Sequence, residues 1–111
     1  MTKLYHKSNP LYRKQISENG LLPMVGDSYS AYYDNIPKHK LKPLIFMYDR
    51  NVIEYNSTYD DDIWEIDIKK LNHKRIRKDM ADTLNGCYIY DKPIPVNAIR
   101  LIYKGSGKSI E

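Results

Sequence analysis

The sequence predicts a small α+β domain, rich in short strands, with one helix near its start. Three observations carry this. A single segment has both a helix start signal and a helix stop signal. Several apolar runs have strand length and are bounded by turn formers. The chain of 111 residues has room for one core and no second one.

The elements follow in order. Residues 2–6, TKLYH, predict a short first strand. Asn9 then Pro10 predicts a helix start, since Asn caps exposed N–H groups and Pro suits the first helical position. In the helix LYRKQISEN, Tyr12 and Ile16 fall four apart on one face, with Leu11 beside them. Gly20 is the expected left-handed stop, and Leu21, Leu22 and Pro23 leave extended. Residues 24–42 show no clear period and predict a loop with one helical turn around Tyr29–Tyr33. Residues 43–48, PLIFMY, are an apolar run of strand length, with Phe46 and Tyr48 on one face and Ile45 and Met47 on the other. VIEY at 52–55 suits either a short strand or a turn of helix. From Ile63 to Ile68 the chain alternates, with Trp64, Ile66 and Ile68 on one side and Glu65 and Asp67 on the other. Leu71, Ile76 and Met80 are too irregularly spaced to predict a helix. Gly86–Tyr90 and Ala98–Tyr103 predict two last strands, joined by a stiff DKPIP turn.

Composition narrows the function classes. Charged residues at 29% and hydrophobic ones at 41% fit a folded domain. No apolar run reaches a membrane-spanning length, and the N-terminus lacks the pattern of a signal peptide. The expectation is a soluble, cytoplasmic chain with no membrane partner. The single Cys87 excludes an intramolecular disulfide. The net charge of +4 is unevenly spread: KKLNHKRIRK at 69–78 holds six Lys/Arg, and YDDDIWEID at 59–67 is acidic. The basic run suits phosphates or an acidic partner, or simply a solvated face. Eleven tyrosines accompany one Phe and one Trp, supplying apolar area with a polar tip.

Several motifs fail on inspection. GSGKS at 105–109 lacks the earlier glycine of a phosphate-binding loop, since Ile102 holds that place, and no helix follows. It predicts a flexible tail from 105 to 111 after a single domain at 1–104. Asp60, Asp61 and Asp62 lack the glycine and distal glutamate of a calcium loop and predict a solvated acidic turn. His6, His39 and His73 have no zinc-ligand spacing.

The order of the pieces resembles the ADP-ribosyltransferase-like superfamily, which includes RNA 2'-phosphotransferases and small phage-encoded ADP-ribosyltransferases. LYHKS at 4–8 is similar to the family's first strand ending in Tyr-His-Gly-Thr/Ser. A short helix and an exit through Gly20, Leu21, Leu22 and Pro23 follow. PLIFMYD at 43–49, DIWEIDIKKL at 62–71 and YDKPIPVNAIRLI at 90–102 resemble the later strands and the closing turn. Two positions depart from the pattern. Lys7 replaces the glycine after the histidine, and Gly86, Cys87 and Tyr88 stand where many members carry a catalytic glutamate.

The resemblance implies an ADP-ribosyltransferase-like domain, phage or mobile-element encoded, that uses NAD to modify a host protein or nucleic acid. His6 would bond a ribose hydroxyl, Ser8 would help hold the cofactor, and Phe46 or Tyr48 would line the nicotinamide. Asp79, ahead of Asp82 or Asp91, would be the catalytic acid. Cleavage at the nicotinamide–ribose bond passes through an oxocarbenium-like state, which is why a carboxylate is required there. Two other expectations compete: a non-catalytic inhibitor of a host factor on the same scaffold, and a nucleic-acid-binding or RNA-end-processing module.

Overall fold

The computed structural model describes residues 2–26, 35–56, 60–79 and 86–106. Among them six strands form one antiparallel sheet: β1 (Lys3–Ser8), β2 (Ile45–Tyr48), β3 (Asp62–Asp67), β4 (Arg77–Lys78), β5 (Cys87–Tyr90) and β6 (Ile99–Tyr103). Their order across the sheet is β4-β5-β2-β1-β3-β6. With two short helices, α1 (Arg13–Asn19) and α2 (Arg50–Asn56), this is a small α+β domain. The turn expected around Tyr29–Tyr33 lies outside the described residues.

Local chemistry sets the first helix. The Asn9 side chain accepts the Leu11 N–H at 3.0 Å, and Pro10 opens a 3₁₀ turn, Pro10–Tyr12, that runs into α1. Gly20 ends it at φ 79°, its N–H bonded to the Ile16 carbonyl at 2.8 Å. A side chain at Gly20 would run into the Ile94 carbonyl oxygen. Glycine therefore lets Leu21 and Ile94 pair through bonds of 3.0 and 2.8 Å. The expected apolar face is narrower than Tyr12, Ile16 and Leu11: Ile16 is buried, whereas Leu11 and Tyr12 face solvent. The tighter 3₁₀ winding of the first turn breaks the four-residue spacing that would stack Tyr12 over Ile16.

Alternation divides the strands as the pattern predicts. Leu4, Ile45, Met47, Trp64 and Ile66 face the larger core, joined there by Ile16, Leu21, Tyr90 and Ile94. Tyr5, Ile63 and Ile53 form a smaller cluster on the opposite face, with Tyr48 against it. Ile53 arrives on α2, which resolves the choice at 52–55 in favour of helix. The Asp49 carboxylate accepts the Val52 N–H at 2.9 Å and caps that helix, so its sequence starts a helix despite its β-branched residues.

The basic segment forms two 3₁₀ turns, Ile68–Lys70 and His73–Arg75, before β4. Side chains of Asp67 and Asn72 cap them, accepting the N–H groups of Lys69 and Lys74. The last two strands are not neighbours. β5 and β6 lie in opposite halves of the sheet, and DKPIP carries the chain across, with the buried Ile94 bridging to Leu21. The turn from Asp60 to Asp62 is not wholly solvated, because Asp62 is fully buried. At the segment expected to be a tail from 105, the Gly105 N–H donates to Asp62 at 2.8 Å and the Ser106 hydroxyl donates to Asp60 at 2.8 Å.

Candidate functional site

The sheet has a seam. β1 pairs with β3 along its whole length, from Lys3↔Asp67 to Ser8↔Asp62. With β2 it pairs at one position, Tyr5↔Tyr48. Continued, that register would set His6 opposite Met47 and Lys7 opposite Phe46. The paired register of β1 with β2 is confined to that one position. The half β4-β5-β2 and the half β1-β3-β6 thus meet at one ladder position, and the β1–β2 junction beside it is termed the fork.

His6 sits in this fork. Its Nδ1 lies 2.7 Å from the Phe46 carbonyl oxygen. A carbonyl only accepts, so Nδ1 carries the proton and the neutral ring presents Nε2 as an acceptor. Burial pushes the pKa of His6 below its ordinary value, against the opposing hydrogen bond to Phe46, so the ring is neutral at pH 7. Among the described residues Nε2 has no partner, and no buried side-chain nitrogen or oxygen is left unsatisfied. The arrangement is a histidine with a fixed tautomer whose second ring nitrogen is an acceptor.

Ser8, two residues along the same face, accepts the Trp64 indole N–H at 3.1 Å. Its own hydroxyl proton can still be donated outward. Trp64 stands opposite His6 in the β1–β3 ladder and is buried, so it backs the imidazole from the β3 side. Next in line is an ionic clasp. Arg13 of α1 grips Asp62 with Nε at 2.9 Å and Nη2 at 2.7 Å, and the same Nη2 reaches the Gly105 carbonyl at 3.3 Å. Burial works to raise the Asp62 pKa. Hydrogen bonds from Arg13 and the Gly105 N–H, with the positive charge of Arg13 and Lys104, outweigh it and hold the carboxyl below its usual range.

The expected site residues divide into two groups. His6 and Ser8 share a face, and Phe46 joins them through its backbone carbonyl. The Phe46 and Tyr48 side chains alternate onto the other face, where Tyr48 meets Tyr5 and the smaller core. Asp79 follows β4, its N–H bonded to the Cys87 carbonyl at 3.0 Å. The ladder then runs from Cys87 to Tyr48 to Tyr5, which sets Asp79 in the Tyr48 row, on the face away from His6. Asp91 is bound by Lys42 and Arg75 at 3.0 Å each; the Lys42 bond, with that of Arg75, pulls its pKa down to about 2. Asp82 lies outside the described residues. Trp64 and the Arg13–Asp62 clasp are the site-flanking residues that motif reading missed. One signal was available for Asp62: alternation from Trp64 and Ile66 places it on the core side.

Among the described residues no group of three or more His, Cys, Asp or Glu could hold a metal ion. No helix among them is long and apolar enough to cross a membrane. Comparison with family models, curated proteins and solved structures finds no match.

Proposed function

We propose that this protein is an ADP-ribosyltransferase-like domain that binds NAD in the fork between β1 and β2. The observation that supports this best is His6: its Nδ1–H is anchored on the Phe46 carbonyl at 2.7 Å, which leaves Nε2 as the acceptor nitrogen of the ring. A ribose hydroxyl donates to such a nitrogen, and the Ser8 hydroxyl, supported by Trp64, offers a donor beside it. The residues fit a polyhydroxylated ligand, which needs fixed acceptors and donors more than apolar area. The Phe46 and Tyr48 side chains lie on the opposite face with Asp79, so an aromatic wall from them would meet only a part of the ligand that reaches that face.

In the transfer reaction nicotinamide leaves with the bonding electrons, and the ribose carbon bonds to a nucleophile of a host protein or nucleic acid, which gives up its proton. Asp79 would stabilise the positive charge developing on the ribose. Its row faces away from His6, so it would act on a ligand that passes through the fork to the other face. That same separation favours a second reading, a non-catalytic inhibitor that keeps the NAD-binding fork, or its shape, without the transfer chemistry.

Thermal shift with NAD, followed by label transfer from NAD in host lysate, tests both. NAD should raise the melting temperature, and His6→Ala should weaken binding at least tenfold, the effect of losing a contact of about 1.4 kcal/mol. Asp79→Ala should keep the shift and lose the transfer. A shift without transfer in the native protein selects the inhibitor reading. No shift at millimolar NAD overturns the NAD proposal.

A further inference from the structure

We propose that the β4 edge of the sheet is a docking surface for the phosphate backbone of a nucleic acid. The fold gathers cations there from three separate stretches. Continued beyond Arg77↔Ile89, the β4–β5 ladder sets Arg75 opposite Asp91, and the two are bonded at 3.0 Å. Lys42, from the segment before β2, reaches the same carboxylate at 3.0 Å. Lys74, Arg77 and Lys78 flank Arg75 along the chain, Lys92 follows Asp91, and all four are exposed. The one carboxylate at the centre, Asp91, is 15% exposed and already shared between two cations. Asp79 bounds the stripe at its far end.

Two properties choose nucleic acid over an acidic protein. The cations lie on an exposed edge strand, Arg77–Lys78, and on the 3₁₀ turn that leads into it, His73–Arg75, so they follow an edge instead of lining a pocket. Among the described residues the stripe also has no apolar anchor. Every exposed large apolar side chain among the described residues (Leu11, Tyr12, Leu22, Met24, Ile36, Val96, Ile102 and Tyr103) lies outside these segments. Protein interfaces centre on buried aromatic or aliphatic anchors and are poor in lysine. Nucleic-acid interfaces are polar and strongly positive, and their affinity comes from phosphate contacts. The surface would give the transferase reading its target class, and it rests on different residues from the NAD fork.

The test is fluorescence anisotropy with labelled oligo(dT) and oligo(U), without NAD, between about 50 and 200 mM salt. Binding should weaken with salt at a log–log slope of about −3 to −4, as about five phosphate contacts on a single strand require. Arg77→Glu with Lys78→Glu should reduce affinity at least tenfold and flatten the slope. Lys14→Glu with Lys104→Glu, the same charge change on exposed residues elsewhere, should leave both nearly unchanged. Melting curves of both variants guard against a folding defect. No binding at the lowest salt, equal losses in the two double variants, or equal competition by polyglutamate each overturns the proposal. Because NAD is absent, failure here leaves the fork reading standing, and failure of NAD binding leaves this one standing.

Discussion

His6 acts as an acceptor only while its ring is neutral. Its folded pKa is lowered, so on acidification the unfolded chain takes up this proton first. The stability tied to His6 is therefore present above its ordinary pKa of 6.5 and is lost as pH falls below that toward the folded value. NAD binding should follow the folded value: calorimetric titrations should give a flat affinity through pH 6.5 and a fall only below it. His6→Gln should remove that dependence. An affinity that already falls at the pH of an ordinary histidine would contradict the fixed, partly desolvated ring. The LYHKS stretch made the residue visible in the sequence. The proton's position was not visible, because its anchor is a carbonyl 40 residues away.

Among the elements, the first helix was the most legible, since Asn9, Pro10 and Gly20 act on their own neighbours. The strand faces at Ile45–Tyr48 and Asp62–Asp67 followed from alternation for the same reason. The clasp between α1 and β3 is the opposite case, with Arg13 and Asp62 separated by 49 positions and joined only by the fold. Removing the half-exposed Arg13 leaves the buried Asp62 charge poorly compensated. Arg13→Ala should lower stability in urea denaturation, because it takes from the buried Asp62 carboxylate its two guanidinium bonds. An Arg13→Ala, Asp62→Ala double variant should recover part of that loss. Ser8→Ala is a poor probe of ligand binding, because it strips the Trp64 N–H of its acceptor and should itself cost about 1–3 kcal/mol.

At the scale of the molecule, cations of the β4 edge and the clasp hold two carboxylates below their ordinary range. Asp91 sits at about 2, and Asp62 is lowered from 3.8. In the unfolded chain both bind protons first as pH falls, so their contribution is full above the ordinary value. For Asp91 it is lost between 3.8 and about 2. Acid titration of stability should show this loss, and Asp91→Asn should make the profile shallower there. The overall α+β class was legible from the apolar runs. The strand order, and with it the meeting of Lys42, Arg75 and Asp91, was not, because no local signal says that β5 and β6 belong to opposite halves.

The seam has a consequence for how the chain can be made. The polypeptide passes from one half to the other between β1 and β2, β2 and β3, β3 and β4, and β5 and β6. Neither half is a continuous stretch, so neither can close early as a folding unit. The half containing β1 waits for β6 at Ile99–Tyr103, and its clasp waits for Gly105. Such long-range pairing slows folding. On the ribosome, β3 must keep its β6 side unpaired or shielded until Ile99–Tyr103 has emerged, and until Gly105 follows, the Asp62 carboxylate lacks that residue's N–H.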